Sequence, residues 1–105
     1  MDLMKMMKQA QEIQGRMQKM QEDLAGLEVE GQSGGGLVKV TLNGKFEARA
    51  IKIDPSLIKP DEREILEDLI LAAFQDAKSK AEAAAQAKME ELTGDLQLPP
   101  GLKLF

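Results

Sequence analysis

Along the first quarter of the chain apolar residues recur as Leu3, Met6, Ala10, Ile13, Met17, Met20, Leu24 and Leu27, in alternating steps of three and four. Such spacing is a heptad seam, which keeps one narrow stripe of a helix against a partner helix. It predicts a helix over about residues 2–26 with Gly26 as its terminator. Gly15 costs that helix about 1 kcal/mol relative to Ala, which an outward position tolerates. From Leu27 the period changes to two: Leu27, Val29 and Gly31 alternate with Glu28, Glu30 and Gln32, the pattern of a half-buried strand. Gly34-Gly35-Gly36 reads as a hairpin connection. A phosphate loop or dinucleotide fingerprint does not fit, because no Lys-Ser/Thr pair follows and the next element is a strand.

Leu37 to Leu42 is the clearest strand, and Asn43-Gly44 signals a two-residue type I′ turn. That turn sets Leu42 opposite Lys45, Val40 opposite Glu47 and Val38 opposite Arg49. Val38, Val40, Leu42, Ile51 and Ile53 then share one face, and Thr41, Phe46, Ala48 and Ala50 lie on a flatter, partly apolar second face. A sheet apolar on both sides needs cover on both. Helices supply one cover, and a second subunit over Thr41, Phe46, Ala48 and Ala50 supplies the other.

Asp54-Pro55-Ser56-Leu57 ends the strands in a turn. Pro60 suits the first turn of a helix, and Asp61, Glu62 and Glu64 complement the positive end of its dipole. The second helix is expected over about residues 61–92, with a Pro-rich apolar tail over residues 93–105. Its first half is bulky, and its second half is alanine on the apolar side: Ala73, Ala77, Ala81, Ala84 and Ala85. Alanine buries little area, so this half should pack closely on a partner helix and project from the body. The pattern as a whole is one α+β domain, residues 1–105: a helix, three antiparallel strands and a second long helix.

Composition narrows the chemistry. The chain of 105 residues has no Cys and no His, which removes thiolate and imidazole metal sites and the Cys/His and Ser/His catalytic arrangements. With no Tyr or Trp and three Phe, it has no aromatic platform for single-stranded nucleic acid. The acidic cluster at Asp61, Glu62 and Glu64 reads as helix-start electrostatics rather than a metal site. No enzyme activity, cofactor, metal or small-molecule substrate is therefore expected. Lys5 and Lys8 break any signal-peptide pattern and no window approaches a membrane span, so an intracellular protein with no membrane partner is expected. Net charge is −4, but it is unevenly spread. Residues 1–20 hold four bases and two acids (+2), residues 27–60 five bases and four acids (+1), and residues 61–68 one base and five acids (−4).

Gly34-Gly35-Gly36-Leu37-Val38-Lys39-Val40-Thr41-Leu42-Asn43-Gly44 resembles the YbaB/EbfC family of bacterial nucleoid-associated proteins. The likeness continues through Ile53-Asp54-Pro55-Ser56-Leu57, Glu67-Asp68-Leu69, Ala72-Ala73-Phe74 and Asp76-Ala77 to Leu98-Pro99-Pro100-Gly101, covering nearly the whole chain in order. The first helix matches by its Met/Gln/Lys character alone. The resemblance implies a tweezer-shaped homodimer of α-β-β-β-α subunits in the cytoplasm and nucleoid, binding double-stranded DNA through helical arms with little sequence preference.

The family brings no DNA-reading motif, so contact residues follow from this chain's geometry. If the two helices pair antiparallel from matching ends at the sheet, about 1.5 Å per residue sets Lys5 and Lys8 level with Lys78 to Glu82. Glu22 and Asp23 then lie near the acidic start of the second helix. The candidate DNA contacts are Lys5, Lys8, Lys78, Lys80 and Lys88 toward the arm's end, with Arg16 and Lys19 further in. Lysine-rich contact of this kind rests on phosphates and counterion release rather than base reading. The alternative reading is a scaffold module that docks a protein partner through its helices or its Pro-rich tail.

Overall fold

The computed structural model describes residues 2–96, and the pattern of apolar spacing translates into elements in the expected order. Helix α1 spans Leu3–Gly26, strands β1, β2 and β3 span Glu28–Ser33, Val38–Asn43 and Ala48–Ile53, and helix α2 spans Arg63–Leu96. The strands form one antiparallel sheet in the order β1-β2-β3. Asp2 caps α1 by accepting the Met4 N–H at 3.1 Å. Asp54 does the same for a short 3-10 turn, Pro55–Leu57, by accepting the Ser56 N–H at 2.9 Å. Pro60 opens a second 3-10 turn, Pro60–Glu62, so the α-helix proper begins at Arg63. It then runs through Gly94, past the expected stop near residue 92. The tail residues 97–105, with Leu98-Pro99-Pro100-Gly101, lie outside the described residues.

The core lies between α2 and one face of the sheet. Val38, Val40, Leu42, Leu57, Ala73 and Ala77 are buried there, with Val29, Leu37, Ile53, Leu66, Leu69 and Ile70 packed around them. The alanine half of α2 therefore begins its work on the sheet rather than on a helix. Gly31 of β1 lies against the α2 backbone at Ala73 and Ala77, and a Cβ added to it would collide with the Ala77 nitrogen and the Ala73 carbonyl oxygen. A glycine facing two alanines brings helix and strand into closer contact than any larger pair would allow.

The β2–β3 hairpin departs from the expected two-residue turn. Val38 pairs with Ile53 and Val40 with Ile51, four residues away from the predicted partners Arg49 and Glu47. The cause is Asn43, which is 1% exposed. Its Oδ1 accepts the N–H groups of Lys45 (2.9 Å) and Glu47 (3.0 Å), while its Nδ2 donates to Glu47 Oε1 (2.7 Å) and to the Ala25 carbonyl (3.3 Å). A longer loop thus wraps around one side chain, with Phe46 in a left-handed conformation (φ 66°). A bulge follows: Thr41 pairs with Ala50 but Leu42 with Ala48, leaving Arg49 as the extra residue. Ala48 and Ala50 consequently lie on opposite faces, so Thr41, Phe46, Ala48 and Ala50 do not form the single flat surface expected of them.

Helix α1 is fastened to the sheet by its last turn. Gly44 donates its N–H to the carbonyls of Leu24 (2.8 Å) and Leu27 (2.9 Å), so the hairpin loop satisfies carbonyls that a helix end leaves open. Beyond this joint Met20 and Leu24 pack with Ala85 and Met89 of α2. The antiparallel pairing of the two helices is therefore real but lies much farther along α2 than expected, because the turns between residues 63 and 81 are spent on the sheet. The remaining seam residues Leu3, Met6, Ile13 and Met17 are exposed. The molecule is elongated, 70 × 24 × 16 Å.

Candidate nucleic-acid interface

The seven basic residues named from sequence fall into two groups. Lys5, Lys8, Arg16 and Lys19 are all exposed on α1. Lys5 stands nineteen residues before Leu24, about 28 Å along the helix axis, so it and Lys8 lie far out from the sheet. Glu12 is the acid nearest Lys5 and Lys8 in sequence after Asp2, which is engaged as the cap.

The α2 lysines are placed differently. Lys80 is held at the edge of β1, where its Nζ donates to the Glu30 carbonyl at 2.9 Å and meets Asp76 Oδ2 at 3.2 Å. Asp76 in turn accepts the backbone N–H of Gln32 at 3.0 Å. These two side chains satisfy a donor and an acceptor that an edge strand otherwise leaves open to pairing. The Gln32 N–H and the Lys80 ammonium also hold the Asp76 carboxyl below its ordinary value of 3.8. Lys80 is thus an edge clamp on the body, and Lys78, two residues before it, is exposed at the same level. Neither is level with Lys5 and Lys8, contrary to the alignment from sequence. Lys88 lies beside the Met20–Leu24 cluster through its neighbour Met89, and its Nζ is 3.7 Å from Glu91. The acidic start of α2 is at the other end of the sheet from Glu22 and Asp23: Ser33, at the far end of β1, donates its hydroxyl to the Leu69 carbonyl, while Leu24 sits at the near end against Gly44.

Sequence reasoning missed the clamp, since an Asp and a Lys four apart on a helix read as a solvated ion pair. It also missed Lys39 and Lys52, which the register sets opposite each other on the sheet. Only the corrected hairpin reveals that pair. Among the described residues no group of three or more acidic side chains could hold a metal ion, and no helix is long and apolar enough to cross a membrane.

A long helix with exposed basic side chains, standing out from a small α+β body, is the architecture that the comparisons with known proteins have to match. Residues 1–96 match the model of the YbaB/EbfC DNA-binding family. The chain belongs to that family. It is 61% identical over 103 residues to the nucleoid-associated protein Atu0095 of Agrobacterium fabrum, covering 98% of this chain and 96% of that one. It is 62% identical over 103 residues to a nucleoid-associated protein of Rhodopseudomonas palustris, covering 98% and 97%. Its fold matches the crystal structure of the uncharacterized protein HP0035 from Helicobacter pylori with a TM-score of 0.70 at 21% identity, over 93% of this chain and 99% of that one.

Proposed function

We propose that the protein is a nucleoid-associated, non-enzymatic DNA-binding protein that acts as a homodimer and grips double-stranded DNA through the basic face of α1. The observation that carries this reading is the position of Lys5 and Lys8, exposed and far out on an arm that the body holds by its other end. Arg16 and Lys19 extend the same arm inward. Contact by lysines is contact with phosphates, which carries little sequence preference and weakens steeply as salt rises. Lys78 and Lys88 are secondary contacts nearer the body, and Lys80 is the weakest of the seven because its ammonium is engaged on β1. The nucleoid of the bacterial cell is the corresponding location.

Homodimerisation is supported by the apolar surface left uncovered. Helix α2 lies over β1 and β2, and β3 extends beyond it with Ile51 51% exposed on the face it shares with Val40. On α2, Leu69, Asp76 and Lys80 turn toward β1, so Ile70 and Phe74 occupy the flank on the β3 side, where Phe74 is 37% exposed. A second copy over Ile51, Phe74 and Ala48 removes this surface from water. Thr41 and Ala50, on the opposite face, and Phe46 in the hairpin loop lie outside this surface.

The test is retardation of unrelated duplexes by the full chain across a salt series. Lys5→Glu with Lys8→Glu is expected to abolish retardation while light scattering reports an unchanged oligomer. Retardation that survives these changes would remove the arm from the interface.

A further inference from the structure

Lys39 and Lys52 stand directly opposite each other in the β2–β3 pairing. Val38 and Val40, on either side of Lys39, are buried beneath α2, so strand alternation turns Lys39 and its partner to the other face of the sheet. Directly opposed residues on antiparallel strands have Cβ atoms about 4.5–5.5 Å apart, where like charges destabilise the pair. Elsewhere on this face charge is balanced: Arg49 meets Glu28 at 4.0 Å. At the Lys39 level the residue on the third strand is Gln32, which is neutral. Neither Lys39 nor Lys52 has an acidic partner among the described residues.

The surroundings are open. A Cβ built on Gly36 would lie 3.5 Å from Gln32 Oε1 and 3.6 Å from Lys39 Cε, so both side chains flank the glycine turn. Lys52 is exposed and Lys39 half-buried, which leaves both ammonium groups reachable from solvent.

We propose that Lys39 and Lys52 form a second phosphate-binding patch for the DNA backbone, on the sheet face remote from α2 and at the end of the sheet away from α1. The proposal rests on the DNA-binding reading above and extends it from the arm to the body. A phosphate between the two ammonium groups replaces their repulsion with two attractions and releases condensed counterions. Lysine is a compact point charge, so the patch is indifferent to base sequence. It fixes a second point of contact well separated from Lys5 and Lys8.

Two measurements on the full chain test this. In the salt series, Lys39→Gln with Lys52→Gln is expected to reduce the slope of log affinity against log salt by about 2 per chain. In thermal melting, Lys52→Glu turns a like-charge pair into an opposite-charge pair and is expected to raise Tm by about 2–4 °C while weakening DNA binding. An unchanged slope in the double variant overturns the proposal, as does a Lys52→Glu chain that binds like the parent. Either result, combined with loss of binding in Lys5→Glu/Lys8→Glu, leaves the arm reading standing. A parent chain that fails to retard any duplex overturns both.

Discussion

Gly31 of β1 and Ala77 of α2 meet backbone to backbone, with no room for even one methyl group between them. This contact sets the distance between helix and sheet, and everything buried beneath α2 depends on it. Gly31→Ala must push α2 outward or twist the strand, opening space around Val40 and Ala73. A loss of about 2–4 kcal/mol is expected, larger than the cost of a surface change. Chemical denaturation of the purified variant measures it, and a loss below about 0.5 kcal/mol would show that the contact is loose.

Asn43 should be the most sensitive polar position. Asn43→Ala leaves the N–H groups of Lys45 and Glu47 without their side-chain acceptor and takes a donor from the Ala25 carbonyl at the end of α1. The expected loss is about 1–3 kcal/mol. Asn43→Asp retains the acceptor but loses both donated bonds and sets two carboxylates together at Glu47, so it should rescue only partly. Equal stability of the Ala and Asp variants would argue against a loop organised by Oδ1.

Stability should fall with acid through Asp76 and Asp54. Hydrogen bonds from Gln32 and Lys80 lower the Asp76 pKa, and those from Ser56 lower that of Asp54. A carboxyl depressed in the folded state takes up its proton first in the unfolded chain, so its contribution is present above the ordinary value of 3.8 and is lost as pH falls below it. Asp76→Asn should therefore lose less stability than the parent chain between pH 5 and about pH 3. Parallel pH profiles for the two chains would contradict this.

The uncovered stripe on β3 and α2 predicts the oligomeric state. Light scattering at micromolar concentration should give twice the chain mass of 11.5 kDa. Ile51→Glu with Phe74→Glu, placing charge on both sides of the stripe, should return the chain to monomer mass with its helical content intact. A double variant that remains dimeric would move the interface elsewhere, with the Thr41–Ala50 face next to be tested.

The kind and order of the helices and strands were legible in the chain because each left a local signature: a heptad seam in α1, a period of two in the strands, and Pro60 with the acidic residues after it before α2. Family membership was legible for a related reason, since the glycine run, the Asn43-Gly44 pair and Asp54-Pro55-Ser56-Leu57 are contiguous motifs. The basic face of α1 could also be read directly, as its spacing depends on one helix alone.

What needed the tertiary structure were the relations between elements. Asn43-Gly44 carries the signature of a tight turn, yet the Asn43 side chain bonds to Lys45 and Glu47 within the loop and to Ala25 at the end of α1, and the wider loop it organises moved the strand register by four residues. The same shift set Lys39 against Lys52 and parted Ala48 from Ala50. The alanines of α2 matched a helix partner equally well by pattern, but Gly31 offered the closer approach and took Ala73 and Ala77 onto the sheet. Sequence by itself thus determined which residues form helices and strands and which charges α1 carries, because those are set by periods within a few turns. Register, helix alignment and the engagement of Lys80 were decided only in three dimensions, where one buried amide and one missing methyl group outweigh local preference.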